Sequence, residues 1–269
     1  MSAKDIVLRP IGRAEADAVV KRIHYSGTGV QNSQTSIGVF YNGSLEGAMQ
    51  FGPPMSKNKL VGLVEGTPWN GFVELNRLAF SDALPRNSES RAISVAMRLL
   101  RKHAPHVGWV VTFADGAQCG DGTIYRASGF VLTGYSTGNM VRLPEHLRHL
   151  NGGRAVAHQM ACVQRVALRK YIRARSHGKA LGIPGVARLL GGEVVKGYQF
   201  RYLYFLDPAC RERLTVPVLP FDTIDKLNAR MYRGRSIGGD APASCGDEGG
   251  SNPTRPLQRP PSGGATRGV

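Results

Sequence analysis

The sequence predicts an α/β domain, a mixed central sheet with helices on both faces and a basic helical insertion. Three observations carry this expectation. A segment with two apolar-alternating arms turns at Asn42-Gly43, and strand-like and helix-like patterns alternate between residues 71 and 135. A last strand, rich in Tyr and Phe, returns only after a long basic stretch. Hairpin strands followed by alternating strands and helices favour a layered mixed sheet.

Residues 5 to 8 read as a strand and 13 to 22 as a helix. TSIGVFYNGSLEGAMQF is a hairpin, because Asn-Gly tolerates the positive φ values that a tight two-residue turn requires. GFVELNRLAF, residues 71 to 80, is the next strand. Pro85 and the polar RNSES lead into RAISVAMRLLRKH, where Ile93, Met97 and Leu100 trace one helical face. In GWVVTFAD, residues 108 to 115, Thr112 alone interrupts the apolar run before Asp115, so burial on both sides is expected. A short helix follows, with Asp121 as N-cap, Tyr125 one turn in and Gly129 at its close. FVLTGY is a strand, VQRVALRKYIRARSHGK a helix to about Ser176, and KGYQFRYLYFLDP, residues 196 to 208, the final strand.

Lys and Arg number 35 against 19 Asp and Glu, a formal charge of +16. Between residues 142 and 188 ten basic side chains face Glu145 alone. Such an excess favours a polyanionic partner, nucleic acid first and an anionic membrane second. From residue 233 the chain turns to Gly, Pro, Ser and Arg with few large apolar residues. A segment of that kind cannot offset its ordering entropy, so 1–232 is expected to be the folded domain and 233–269 a disordered tail. Cys119, Cys162, Cys210 and Cys245 form no C-x-x-C pair, which argues against a zinc site or a disulfide framework and for a reducing compartment. Charges interrupt every apolar run near the N-terminus, and no stretch has the length of a membrane span, so a cytoplasmic protein is expected.

Strand alternation places Arg77 with Val73, Leu75 and Ala79 on an otherwise apolar face. A guanidinium there is costly unless an anion or several acceptors meet it, and a core carboxylate would make it a purely structural residue. Asp115 ends a buried strand at its carboxyl end, where open α/β sheets bind ligands, although an Asp before Gly116 also suits a turn. If the two strands are neighbours, Arg77 and Asp115 share a cleft, and the phenol of Tyr125 reaches it unless Tyr125 is a plain core residue. Asn87, Ser88, Ser90 and Arg91 precede a helix whose free N–H groups suit a phosphate. His24, Tyr25 and Ser26 form one more polar cluster. There is no P-loop, H-E-x-x-H or G-x-S-x-G motif.

The order of elements and GTIYRASGF after an apolar strand resemble the GNAT acyltransferase superfamily. More narrowly HYSG, ELNRLAF, FADG, IYRASGF and YLYFLDP, spread over residues 1 to 210, resemble the phage Mom family of DNA modification proteins. The resemblance implies conversion of adenine in double-stranded DNA to N6-carbamoylmethyladenine, which shields phage DNA from restriction. It implies functional roles for Arg77, Asp115 and Tyr125, and iron at His24 and Tyr25. One departure matters: Arg86-Asn-Ser-Glu-Ser-Arg91 lacks the glycines of a GNAT donor loop, which let a backbone approach pyrophosphate closely. The small-molecule donor is therefore open, acetyl-coenzyme A being one candidate. Two other readings stand beside this one, a GNAT N-acyltransferase acting on a small amine or a protein, and a non-catalytic DNA-binding protein.

Overall fold

The computed structural model describes residues 2–116, 120–137 and 140–229, with the backbone alone at 160, 164, 231–232 and 235–236. The first half runs β1 (Val7–Pro10), α1 (Arg13–Ile23), β2 (Thr35–Tyr41), β3 (Ser44–Gly52), α2 (Lys57–Leu60), β4 (Phe72–Phe80), α3 (Ser88–His103) and β5 (Trp109–Asp115). Then come α4 (Thr123–Ala127), β6 (Val131–Thr137), β7 (Met140–Arg142), β8 (Val156–His158), α5 (Gln159–Gln164), α6 (Val166–Arg175), α7 (Ile183–Leu190) and β9 (Glu193–Val194). Last are β10 (Tyr198–Phe205), α8 (Ala209–Glu212), α9 (Asp222–Lys226), β11 (Met231–Tyr232) and β12 (Arg235–Ser236).

Seven strands form the main sheet in the order β1-β2-β3-β4-β5-β10-β6. The expected hairpin is there, with Asn42 at φ 48° and Gly43 at φ 81° in its turn. Among the described residues only β4 and β5 pair in parallel; β10 inserts antiparallel between β5 and β6. Helices cover both faces. On one side Ala92, Ile93, Ala96, Met97 and Leu100 of α3 pack on Leu75, Val110, Leu132 and Tyr202, so the 3.6-residue period of RAISVAMRLLRKH is spent on the core. Glu89 in the first turn of α3 and Arg101, Lys102 and His103 in its last complement the helix dipole. On the other side Ala16, Val19 and Val20 of α1 pack on Ala48 and Ala79.

The basic stretch is more than a helix. β7 pairs with β8 and β9 in a small sheet of its own, and Val141, Leu143, Leu147, Leu168, Ile183, Val186 and Leu190 make a separate core. The single helix expected to Ser176 is two, α5 and α6, because Arg165 between them is extended at φ −75° and ψ 111°. Its side chain leaves the lobe to bond Thr28 at 2.7 Å, a tertiary contact that local periodicity does not contain.

Asp121 is not the N-cap of α4. That position is Gly122, at φ 86°, where a Cβ would stand 2.3 Å from the Tyr202 ring. Asp121 Oδ1 instead accepts from the Thr123 amide at 3.0 Å and hydroxyl at 2.7 Å, one residue earlier. The expected tail, 233–269, lies outside the described residues apart from the backbone of β12. Cys162 and Cys210 are buried free thiols. Among the described residues no helix is long and apolar enough to cross a membrane.

Candidate active site

The site begins as a defect in strand pairing. β4 and β5 pair only through Phe72–Trp109, Val73–Val110 and Glu74–Val111, although β4 runs on to Phe80 and β5 to Asp115. Beyond Glu74 the register of β4 against β3 slips: Phe51 faces Leu75 and Gln50 faces Arg77, leaving Asn76 as the extra residue of a bulge. A bulge bends its strand and raises the local twist, which carries β4 away from β5. β5 meanwhile stays paired with β10 as far as Asp115–Gln199. The carboxyl ends of two neighbouring parallel strands thus diverge. Below the divergence Phe72 and Trp109 stack at 4.2 Å, and the indole N–H donates to Thr67 Oγ1 at 3.0 Å.

The bulge also overturns the expected alternation. Leu75 lies in the core under α3, whereas Arg77 and Ala79 are turned toward α1, on the face of Phe72 and Glu74. Arg77 Nε donates to the Thr28 carbonyl at 3.2 Å and Nη1 to the Asn76 carbonyl at 2.7 Å. Burial lowers its pKa, while Tyr25, Glu74 and Asp17 pull it back up. Glu74, at the last β4–β5 pair, is raised from 4.5 to about 7 by burial, against the opposing pull of Arg77 and a hydrogen bond from Asn76. Gln50, opposite Arg77, is fully buried and donates to Asp17 at 2.8 Å.

Asp115 is only 5% exposed and shares the face of Trp109, Val111 and Phe113 by strand parity. Arg77 and Asp115 therefore stand on one face, at the diverging ends of adjacent strands. Tyr125 does not join them there. Its ring packs 5.6 Å from Phe130 and 5.6 Å from Tyr202 in the cluster under α3, on the opposite face of the sheet. A cavity of about 160 Å³ lined by Thr67, His106, Trp109, Cys210 and Arg213 opens at the amino end of β5, away from Asp115.

Asn87, Ser88, Ser90 and Arg91 come together at the start of α3. Asn87 is left-handed at φ 70°, and its carbonyl accepts from the Arg91 amide at 3.2 Å and from Ser90 Oγ at 3.2 Å. Ser88 is 1% exposed, and neither its Oγ nor Arg91 Nε has a hydrogen-bond partner among the described residues. Unpaired buried donors at a helix N-terminus suit an anion.

The sequence matches the Mom protein family over residues 5–223. The chain belongs to that family. It is 33% identical over 214 residues to the methylcarbamoylase mom of Escherichia phage Mu, covering 79% of this chain and 80% of the relative. Solved structures that resemble this Mom-family chain include an IAA acetyltransferase from Bacillus cereus (10% identity, TM-score 0.40, 74% of this chain and 99% of that one). Another is the spermidine/spermine N-acetyltransferase SpeG from Vibrio cholerae (9% identity, TM-score 0.40, 78% and 98%).

The surroundings of His24 and Tyr25 in this Mom-family member do not fit iron. His24 Nδ1 accepts from the Ser26 amide at 3.1 Å and lies 2.8 Å from Ser26 Oγ, so the neutral ring carries its proton on Nε2. A metal at Nε2 would leave both nitrogens unprotonated, whereas a metal-ligating His donates its second N–H to an acceptor. The nearby charges are the cations Arg77 and Arg154. Tyr25 lies against the imidazole, ring centroids 4.3 Å apart, and no group of three His, Cys, Asp or Glu side chains suited to a metal occurs among the described residues.

Glu74 and His158 escape sequence reading, and Arg154 and Arg165 are legible only as two of the ten basic side chains between residues 142 and 188. Of the first two, Glu74 alone had a signal, its place three residues before Arg77 in ELNRL.

His24 and Glu74 give a testable pH signature. The His24 pKa falls from 6.5 to about 3, by burial first and then by Arg77 and Arg154. The folded state keeps this ring neutral, so its contribution to stability is present above pH 6.5 and lost as pH falls toward about 3. Glu74 has the opposite sign: stability present below pH 4.5 is lost as pH rises through about 7. Between 4.5 and 6.5 the two slopes, one proton each, offset. Glu74→Gln should unmask the His24 slope, a rise of about 1.4 kcal/mol per pH unit in that window. Urea midpoints of wild type and variant across pH 4.5–6.5 check it; a flat variant profile would remove His24 from the linkage.

Proposed function

We propose that this chain is a transferase that converts adenine in duplex DNA to N6-carbamoylmethyladenine, and so protects phage DNA from restriction in the host cytoplasm. The single observation that carries the reading is the buried Asp115 carboxylate at the mouth of the β4–β5 gap, on the same face as Arg77, in a Mom-family chain. The phage Mu relative is named a methylcarbamoylase, which supports transfer of a group built from a methylene and a carbamoyl unit.

The N6 amine of adenine is a weak nucleophile, because its lone pair is delocalised into the ring. It also points into a base pair, so the base must be extruded before reaction. Asp115 then accepts the N6 proton as nitrogen bonds the methylene carbon of the donor, and the donor's leaving group departs with its electron pair. Arg77 holds an anionic group of the donor or substrate, its guanidinium already oriented by Thr28 and Asn76. The buried amide oxygens Gln50 Oε1 and Asn76 Oδ1 have no hydrogen-bond partner among the described residues and would accept from amide or amine donors. The N-terminus of α3, with Ser88 and Arg91, offers the donor's anionic part a second place, and without glycines it favours a group less bulky than a pyrophosphate. Tyr125 stabilises the far wall through Phe130 and Tyr202.

Arg169, Lys170 and Arg173 are exposed on α6, whose Leu168 is buried in the lobe core. They are assigned to the DNA backbone, which sets affinity without reading sequence. Reversing all three to Glu should flatten the salt dependence of DNA binding, the log–log slope falling by about 0.9 for every phosphate that is no longer neutralised. An unchanged slope would move the DNA footprint off α6.

The reaction is tested by expressing the protein in bacteria, digesting plasmid DNA to nucleosides and weighing the adenosine fraction. A species heavier than adenosine by one carbamoylmethyl substituent is expected. Unmodified adenosine alone would refute the reaction, and an acyl mass would assign a different one.

A further inference from the structure

We propose that Arg77, Arg154 and Arg165 form one oxyanion site on the loop from His24 to Thr28, and that it takes a backbone phosphate of the strand carrying the target adenine. The inference rests on the reading of this chain as a DNA-modifying enzyme. Three guanidiniums from separate parts of the chain meet on five residues. Arg77 Nε donates to the Thr28 carbonyl at 3.2 Å, and Arg165 Nη2 donates to the Thr28 hydroxyl at 2.7 Å. Arg154 covers Gly27 so closely that a Cβ there would stand 1.4 Å from its Nη2, and Gly27 has φ 50° besides. The two lobe arginines also converge on Gly152, whose Cβ would lie 2.7 Å from Arg165 Nη1 and 3.8 Å from Arg154 Nη1.

Protein groups offset these charges only in part, Tyr25, Glu74 and Asp17 acting on Arg77. The oxygens that accept from Arg77 and Arg165 at Thr28 and Asn76 are neutral. Burial and then Arg154 depress the basicity of Arg165; burial and then Arg77 depress that of His158, which ends β8 in the lobe. His24 Nδ1 accepts from the Ser26 amide, which leaves Nε2 as the ring's donor. Partly buried guanidiniums placed side by side are costly until an anion meets them, and an oxyanion can accept from several forks at once.

The lobe settles which anion. Arg165 stands immediately before α6, so the site continues the exposed row of Arg169, Lys170 and Arg173. The start of α3 is a separate place for the donor's charge. A phosphate held here would tie the strand to the sheet beside Arg77 while the adenine swings into the gap.

The test measures binding of a short duplex with one unpaired adenine at several salt concentrations, for wild type, Arg154→Gln, Arg165→Gln and the double variant. Each single change should lower the log–log slope by about 0.9, and the double change by the same about 0.9, because both act on one phosphate. Unchanged slopes, or a double loss twice the single, would overturn the shared site. Arg165→Lys covers the case in which a Gln variant does not fold. It should keep the slope yet bind several-fold more weakly, and wild-type affinity would overturn the forked contact. Pyrophosphate alone separates the two sources of phosphate. Thermal protection by pyrophosphate that the double variant loses, with all DNA slopes unchanged, would give the site to the donor and overturn the DNA assignment. Absence of modified adenosine in cells would refute the reaction while leaving these binding slopes to stand or fall by themselves.

Discussion

Asp115→Asn should abolish adenine modification while leaving DNA binding and the melting temperature close to wild type. The amide keeps the size and planarity of the carboxylate, so the end of β5 and its pairing of Asp115 with Gln199 survive. What disappears is the capacity to take a proton. A positioned general base contributes about 10²–10⁴-fold, and for a nucleophile as weak as an aryl amine the upper part of that range is expected. Nucleoside mass analysis of plasmid DNA from cells expressing each form reads the outcome, with a DNA-binding titration beside it. Wild-type levels of product would take Asp115 out of the chemistry. Loss of both product and binding would instead make it a structural residue of the β5 end.

Trp109→Ala should cost about 3–5 kcal/mol of folding stability, the range for deleting a large buried aromatic side chain. Against a total of about 5–15 kcal/mol this is a large fraction. Trp109 is fully buried, stacks on Phe72 and donates its N–H to Thr67 Oγ1. It opens the three-residue pairing that joins β4 to β5, so the cavity left by alanine falls at the one place where the diverging strands are held together. Trp109→Phe keeps a ring against Phe72 and forfeits the N–H bond, a net loss of about 1 kcal/mol for the bond with a smaller cavity term. Denaturant titration of the three proteins tests the order. If alanine cost less than phenylalanine, or under about 1 kcal/mol, the Phe72–Trp109 stack would not be the anchor of the gap.

Several parts of the molecule were legible in the sequence because their cause is local. Asn42-Gly43 announces a hairpin through its own backbone freedom, and both residues have the positive φ that the turn needs. The period of Ile93, Met97 and Leu100 announces a helix with one buried face, which α3 is. A buried strand ending in an acid announces Asp115 at the carboxyl end of β5, and the excess of basic residues after residue 142 announces a basic surface, on which Arg169, Lys170 and Arg173 are exposed. These signals need no knowledge of what lies opposite.

The site itself was decided by register. One extra residue at Asn76 turned Arg77 from the α3 side to the α1 side, and strand alternation cannot foresee a bulge that arises from pairing with β3. Insertion of β10 between β5 and β6 set Tyr202 beside Tyr125, which fixed that ring on the face away from Asp115. The break at Arg165 and the approach of Arg154 to Gly27 join residues more than a hundred positions apart. Sequence alone determined most strands and helices of the main sheet and where charge accumulates, since propensity, period and composition are properties of neighbours along the chain. Only the tertiary structure decided which faces those side chains share, because facing is set by pairing between strands, and one residue of slip exchanges inside for outside.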